Sequence, residues 1–206
     1  MSAVIDYYYF GASPFTYFGH DAIQEVAQKH GASLNVKPVN LMGVWAESGA
    51  QPPAQRPPVR QRYRFLELQR IAEQRGKAIN YKPAFFPADM TLADSATIAI
   101  LLGGGDPLPY MGRVFAGVWE DEANLADRDE VAKRLTETGH DADEIIARAE
   151  SGEVAAVREQ NTRDATAADA VGVPAYVLNG EVFWGQDRIE FIDAALASGR
   201  EPFRAL

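Results

Sequence analysis

Strand character in this chain is confined to its two ends, and that restricts the fold more than any other property of the sequence. The run "AVIDYYYF" at 3–10 is β-branched and aromatic, too short to favour a helix and bounded by Gly11, which predicts a buried strand. Ser13 then offers a helix N-cap with Pro14 at the first helical position, and the helix runs to His30-Gly31, where glycine supplies the stop. The stretch "SLNVKPVNL" at 33–41 reads as a second strand. Strand, helix and strand in so short a span make a βαβ unit, for which a parallel pair with a right-handed crossover is expected.

Between residues 47 and 58, "ESGAQPPAQRPP" is proline-rich and irregular, and Arg60 to Gly76 reads as a charged amphipathic helix. "KAINYKPAFFPADM" is an extended connector, because a residue before proline is pushed out of helical space. From Thr91 to Ala168 only helices are expected: "TLADSATIAILL", "LPYMGRVFAGVWEDE", "RDEVAKRLTETG" and one long pattern from Asp141 to Ala170. Strands return in "PAYVLNGEVFWG", two short runs around the hairpin signal Asn179-Gly180, and a last helix spans Arg188 to Ser198.

The order βαβ, helical insertion, β-hairpin, helix is that of a thioredoxin-type fold. The fold class expected is therefore α/β, a thioredoxin-like fold interrupted by an inserted all-helical domain. Residues 1–55 and 169–206 would form the discontinuous thioredoxin-like domain, and 56–168 the inserted helical domain. In such folds the functional spot is the N-terminus of the first helix, where Ser13 stands. Val173-Pro174 occupies the place of the cis-proline that faces it.

Composition removes several functions. A net charge of −9 and a pI of 4.9 argue against a nucleic-acid surface, which needs a cationic face. With no cysteine there is no disulfide, thiolate metal site or protein thiol nucleophile, so a dithiol oxidoreductase is excluded. His20, His30 and His140 lack ligand spacing, and no metal site is expected. "GGGDP" at 103–107 lacks the lysine and hydroxyl of a phosphate loop. No run approaches a bilayer span, and no basic leader precedes the first strand, so no membrane partner and a cytoplasmic location are expected.

The segments "YYYFGASPFTYF", "SGAQPPA" and "VGVPAYVLNGEVFWGQDRIEFIDAAL" resemble 2-hydroxychromene-2-carboxylate isomerases, which group with the kappa-class glutathione transferases in the DsbA-like branch of the thioredoxin superfamily. The likeness covers nearly the whole chain, and "GVP…NGEVFWGQDR…F" is its most specific part. The resemblance implies a glutathione-dependent isomerase that interconverts an aromatic hemiketal and its ring-opened benzylidenepyruvate. Glutathione would act as a cofactor that is not consumed, the substrate would be a small aromatic molecule, and the protein a homodimer.

Placed in that family, Ser13 has a specific task. A helix N-terminus presents unpaired N–H groups and about half a positive charge, so it favours an anion. Where a redox relative would hold its own thiolate, serine leaves room for a ligand's thiolate and donates a charge-assisted hydrogen bond to it. Lowering a thiol from about 8.5 to about 6.5 makes thiolate the majority form and takes roughly 2.7 kcal/mol. The plainer role for Ser13 is an N-cap alone.

By the resemblance, the backbone of Val173 beside Pro174 pairs with the cysteinyl part of glutathione as an added strand, and Gln186-Asp187 holds the γ-glutamyl end. Asp187 would equally serve to cap the last helix. Arg60 is placed to meet a carboxylate of cofactor or substrate, or to be a solvated helix charge. Trp45 and Trp184, with Phe85, Phe86, Tyr110 and Trp119, are candidates for an aromatic pocket or for plain core packing. One position departs from the family: Ala50 stands where an asparagine commonly contacts glutathione. Two other readings are a kappa-like transferase that consumes glutathione, and a non-catalytic thioredoxin-fold binding protein.

Overall fold

The aromatic run that opens the chain lies in the middle of the sheet. In the computed structural model, which describes residues 2–205, strand β1 (Val4–Tyr9) is flanked by β2 (Ser33–Pro38) and β3 (Ala175–Leu178), and β4 (Glu181–Trp184) follows at the edge. The order is β2-β1-β3-β4. β1 and β2 run parallel with Val4 opposite Ser33, joined by helix α1 (Pro14–His30), while β1–β3 and β3–β4 are antiparallel. The β3–β4 turn is Asn179-Gly180 with both residues at positive φ, the backbone that a two-residue hairpin requires.

Side chains on β1 alternate between the two faces of the sheet, and its second half is buried on both, which is why the strand ends in an unbroken aromatic run. Ile5, Tyr7 and Tyr9 enter the larger cluster, with Phe18 and Ile23 of α1. Tyr8 enters a smaller one with Val39, Val44, Ala165 and Val173. The inserted helices share the larger cluster with the sheet. Ile98 of α4 (Thr91–Leu102), and Phe115 and Trp119 of α5 (Leu108–Trp119), belong to it. The Tyr9 hydroxyl donates to Thr97 Oγ1 of α4 at 2.7 Å, and the Phe115 ring meets Tyr9 edge-on at 5.6 Å.

Several expected boundaries change. The second strand ends at Pro38, short of the expected Leu41, and a helix that was not expected follows, α2 (Leu41–Ser48), capped by Asn40 Oδ1 accepting from Met42 N–H and closed by Gly49 at φ 71°. The cap residue, read as strand, marks this helix start. Helix α3 (Pro58–Arg75) begins at Pro58, whose fixed φ suits a first helical position. Helix α5 stops at Trp119, before the "EDE" expected to belong to it. Helix α6 spans Arg128–Glu137.

The long pattern expected from Asp141 to Ala170 is two helices, α7 (Ala142–Ala149) and α8 (Gly152–Ala167), because Ser151 caps the second by accepting from Val154 N–H. The last helix, α9 (Ile189–Ser198), follows a 3-10 turn at Gln186–Arg188. No helix among the described residues is long and apolar enough to cross a membrane.

Candidate functional site

Helix α1 starts where the local sequence dictates. Ser13 has extended backbone (φ −80°, ψ 120°) and its Oγ accepts from Thr16 N–H at 3.3 Å. Ser13 is 6% exposed, and the same hydroxyl is directed at the Val173 carbonyl oxygen, 3.5 Å away. That is long for an O–H···O hydrogen bond, so the Ser13 proton is only weakly engaged. The Val173-Pro174 peptide is cis, as the fold led us to expect, and so is Phe86-Pro87. Val173 lies outside the strand ladder, since β3 starts at Ala175.

One turn into the helix, the Thr16 hydroxyl is fully buried and has no partner among the described residues. No acidic residue occupies the first turn of α1 to neutralise its N–H groups. A weakly held serine proton at an uncompensated helix end is a donor arrangement suited to an anion.

Two residues before Ser13, the Gly11 N–H donates to Asp94 of α4, at 3.1 Å to Oδ1 and 3.4 Å to Oδ2. A Cβ on Gly11 would lie 2.6 Å from Asp94 Oδ1, so only glycine lets the carboxylate approach. Asp94 is 1% exposed. Burial pushes its carboxyl up to about 7, opposed by the charge of Arg158 and by the Gly11 N–H. Asp94 was missed from sequence, although a lone acid inside the otherwise apolar or small "TLADSATIAILL" was the available signal.

The other expected residues divide. The indole N–H edges of Trp184 and Trp45 converge on Gly172, immediately before Val173: a Cβ there would meet Trp184 Nε1 at 3.0 Å and Trp45 Nε1 at 3.5 Å. Trp45 is carried by α2, the helix that sequence reading did not foresee. Gln186 is buried, and its amide oxygen accepts from Arg75 Nε at 2.9 Å while its carbonyl accepts from Arg75 Nη2 at 3.0 Å. Its side-chain oxygen is thus already taken, which leaves its side-chain and backbone N–H groups for a ligand.

Asp187 is exposed and pairs with Arg188 rather than capping α9 by its side chain. The link between the two halves of this region is Gly185, at φ 101°, whose N–H donates to the Pro174 carbonyl at 2.8 Å. Ala50 follows α2 with no polar side chain, and the neighbouring Gln51 carbonyl accepts from Arg56 Nε at 2.7 Å.

Arg60 is exposed near the start of α3. Tyr110 and Trp119 are core residues, and Phe86 packs on Trp119 at 5.1 Å. Phe85 is exposed. His20 is buried with its Nε2 3.0 Å from the Leu108 carbonyl, and burial lowers its pKa to about 4.

Two open cavities lie elsewhere and do not include Ser13. One, of about 660 Å³, is walled by Arg113, Asp121, Arg134 and Glu137, which already pair with one another. The other, of about 540 Å³, lies between Asn40, Asp89, Ser95, Arg158 and Thr162.

Comparison with known proteins agrees with this architecture. The family model of the DSBA-like thioredoxin domain matches residues 4–197. A 2-hydroxychromene-2-carboxylate isomerase of Sphingobium xenophagum is 23% identical over 201 residues, covering 95% of this chain and 99% of that protein. A protein of the same name from Pseudomonas putida is 25% identical, covering 94% of each. The solved structure of a 2-hydroxychromene-2-carboxylate isomerase superposes with a TM-score of 0.81 at 22% identity, covering 95% of both chains. With its sheet order, its Ser13–Val173 contact and a match over nearly its full length, the chain belongs to the DSBA-like thioredoxin domain family.

Proposed function

We propose that this protein is a glutathione-dependent isomerase acting on an aromatic hemiketal or benzylidenepyruvate-type substrate. The observation that carries the reading is the buried Ser13 hydroxyl at the uncompensated start of α1, weakly engaged by Val173 in a chain without cysteine. The activity named for the relatives supports it. Bound glutathione would supply a thiolate able to add reversibly to a conjugated double bond.

The chain's own residues would do the rest. Ser13 Oγ donates to the sulfur, and the first-turn N–H groups of α1 lower the cost of its charge. The backbone of Val173 holds the cysteinyl unit in strand-like pairing, with Pro174 shaping the turn behind it. The Gln186 backbone N–H and the Asp187 carboxylate meet the γ-glutamyl end. Trp45 and Trp184 would wall the substrate side next to Gly172.

The test is turnover of 2-hydroxychromene-2-carboxylate with and without glutathione, with total thiol measured at the end. An isomerase needs glutathione and leaves the thiol pool unchanged. Depletion in step with product would make the protein a transferase, and absence of both binding and turnover would make it a binding protein.

A further inference from the structure

Cations collect at one place in this acidic protein where the fold gives them no counter-charge. Arg56, Arg60, Arg62 and Arg64 fall within nine residues of sequence. None has a carboxylate within ion-pairing distance among the described residues, although most other arginines do.

Their placement also opposes helix stability. Arg60 lies in the first turn of α3 and Arg64 in the second, at the positive end of the helix dipole, with no acidic residue in the first turn and no side-chain cap. Like charges at that spacing repel. Burial and the charge of Arg60 lower the Arg56 pKa, and burial and the charge of Arg56 lower that of Arg64.

Two of these guanidinium groups are held by aromatic faces. The Arg56 group lies 5.7 Å over the Trp45 ring, with its Nε fixed on the Gln51 carbonyl. The Arg64 group lies 5.8 Å from the Phe86 ring and 6.0 Å from that of Phe65. Cation–π contact orders a guanidinium while leaving its outer N–H edge open for a carboxylate. Trp45 reaches Gly172, next to the Val173 carbonyl that faces Ser13, so Arg56 is joined to the site through Trp45.

We propose that Arg56 and Arg64, backed by Trp45 and Phe86, form a binding site for the carboxylate of a planar aromatic acid, with its ring lying between the site and Gly172. Arg60, exposed and without an aromatic support, sets the local potential and does not grip the ligand. This assignment takes from the proposed function the aromatic character of the ligand and the direction in which its ring points, and it can be measured with no thiol present.

The experiment is a titration of the full chain, without glutathione, with trans-cinnamate and with its neutral isostere cinnamamide, read by tryptophan fluorescence and calorimetry. Wild type is expected to bind cinnamate at least tenfold more tightly than cinnamamide. Arg56→Gln and Arg64→Gln are each expected to weaken cinnamate at least tenfold and leave cinnamamide unchanged. Arg64→Lys, which keeps the charge and loses the fork, is expected to fall between, and it stands in if Arg64→Gln does not fold.

Equal affinity for the acid and the amide, no cinnamate binding, or cinnamate binding indifferent to both arginines would overturn the proposal. So would variants that lose glutathione affinity and keep cinnamate, since the site would then belong to the cofactor's own carboxylate. Arginine-dependent cinnamate binding in a protein without glutathione-dependent turnover would leave this site standing and remove the isomerase. Turnover with arginine-independent binding would do the reverse.

Discussion

Helices α1 and α3 are nearly the same length, 17 and 18 residues, and both begin at a proline, yet their N-termini are built oppositely. At α1, Ser13 caps the helix, the surroundings are buried, and no charged side chain occurs from Ser13 to Gly19. At α3, no side chain caps the helix and arginines crowd the first two turns at the surface. The first end offers hydroxyls and backbone N–H groups in a low-dielectric setting, where a single hydrogen bond to an anion is strong. The second offers formal charge held on aromatic faces, where solvent screens each contact and a fork of donors is needed. The difference teaches that a helix start suits a soft, ligand-borne anion through its backbone and a carboxylate through its side chains.

The largest effect is expected from removing the polar atom that distinguishes α1. Ser13→Ala should lower turnover by about 10²–10³-fold, the usual cost of one donor to a developing anion, with glutathione affinity changed less than tenfold. Steady-state kinetics beside calorimetry will separate the two. Unchanged turnover would reduce Ser13 to a cap.

Next comes the support under α1. Gly11→Ala forces a methyl group against Asp94 and Met90 and should destabilise the fold by about 1–3 kcal/mol in denaturant titrations. Asp94 adds a pH dependence. Between the ordinary 3.8 and about 7 the folded protein keeps a proton on Asp94 that the unfolded chain has released. The unfolding free energy therefore falls as pH rises through that range, by roughly 4 kcal/mol from this group. Asp94→Asn should flatten the profile; an identical slope would show that Asp94 is ionised throughout.

At α3 the contrast is sharpened by Arg60→Gln, which should change cinnamate affinity by less than about threefold because an exposed charge is screened. A larger loss than that of Arg64→Gln would redraw the site. The smallest effect is for Thr16→Val. Removing an unpartnered buried hydroxyl should leave stability within about 1 kcal/mol or raise it in denaturant titrations.

The sequence displays the sheet and the first helix well because each is signalled locally: Gly11, Ser13-Pro14 and Gly31 bracket α1, and Asn179-Gly180 marks the hairpin. Helix α2 was hidden because its cap, Asn40, directly follows Val39 and was read as the end of the strand. The division at Ser151 was hidden by helix-forming residues on both sides.

Around the candidate site, the places of Ser13 and Val173 followed from the element order of the fold, while Trp45 and Trp184 stood among six aromatic residues for which core packing was the alternative. Asp94 and the Arg56–Arg64 cluster are long-range features. Asp94 meets Gly11 across 83 positions, and Arg64 finds Phe86 only after the connector folds back. Gln186 was legible as a site neighbour, but its bond to Arg75, 111 positions away, was not.

The central claim is that the start of α1 stabilises a thiolate brought in by a ligand. The most direct test is an ultraviolet pH titration of the glutathione thiolate band on wild-type protein and on Ser13→Ala. The account predicts a bound thiol that is mostly ionised at neutral pH, and a rise in its pKa when Ser13 is removed. A bound thiol titrating near its free value of about 8.5 in both proteins would contradict it.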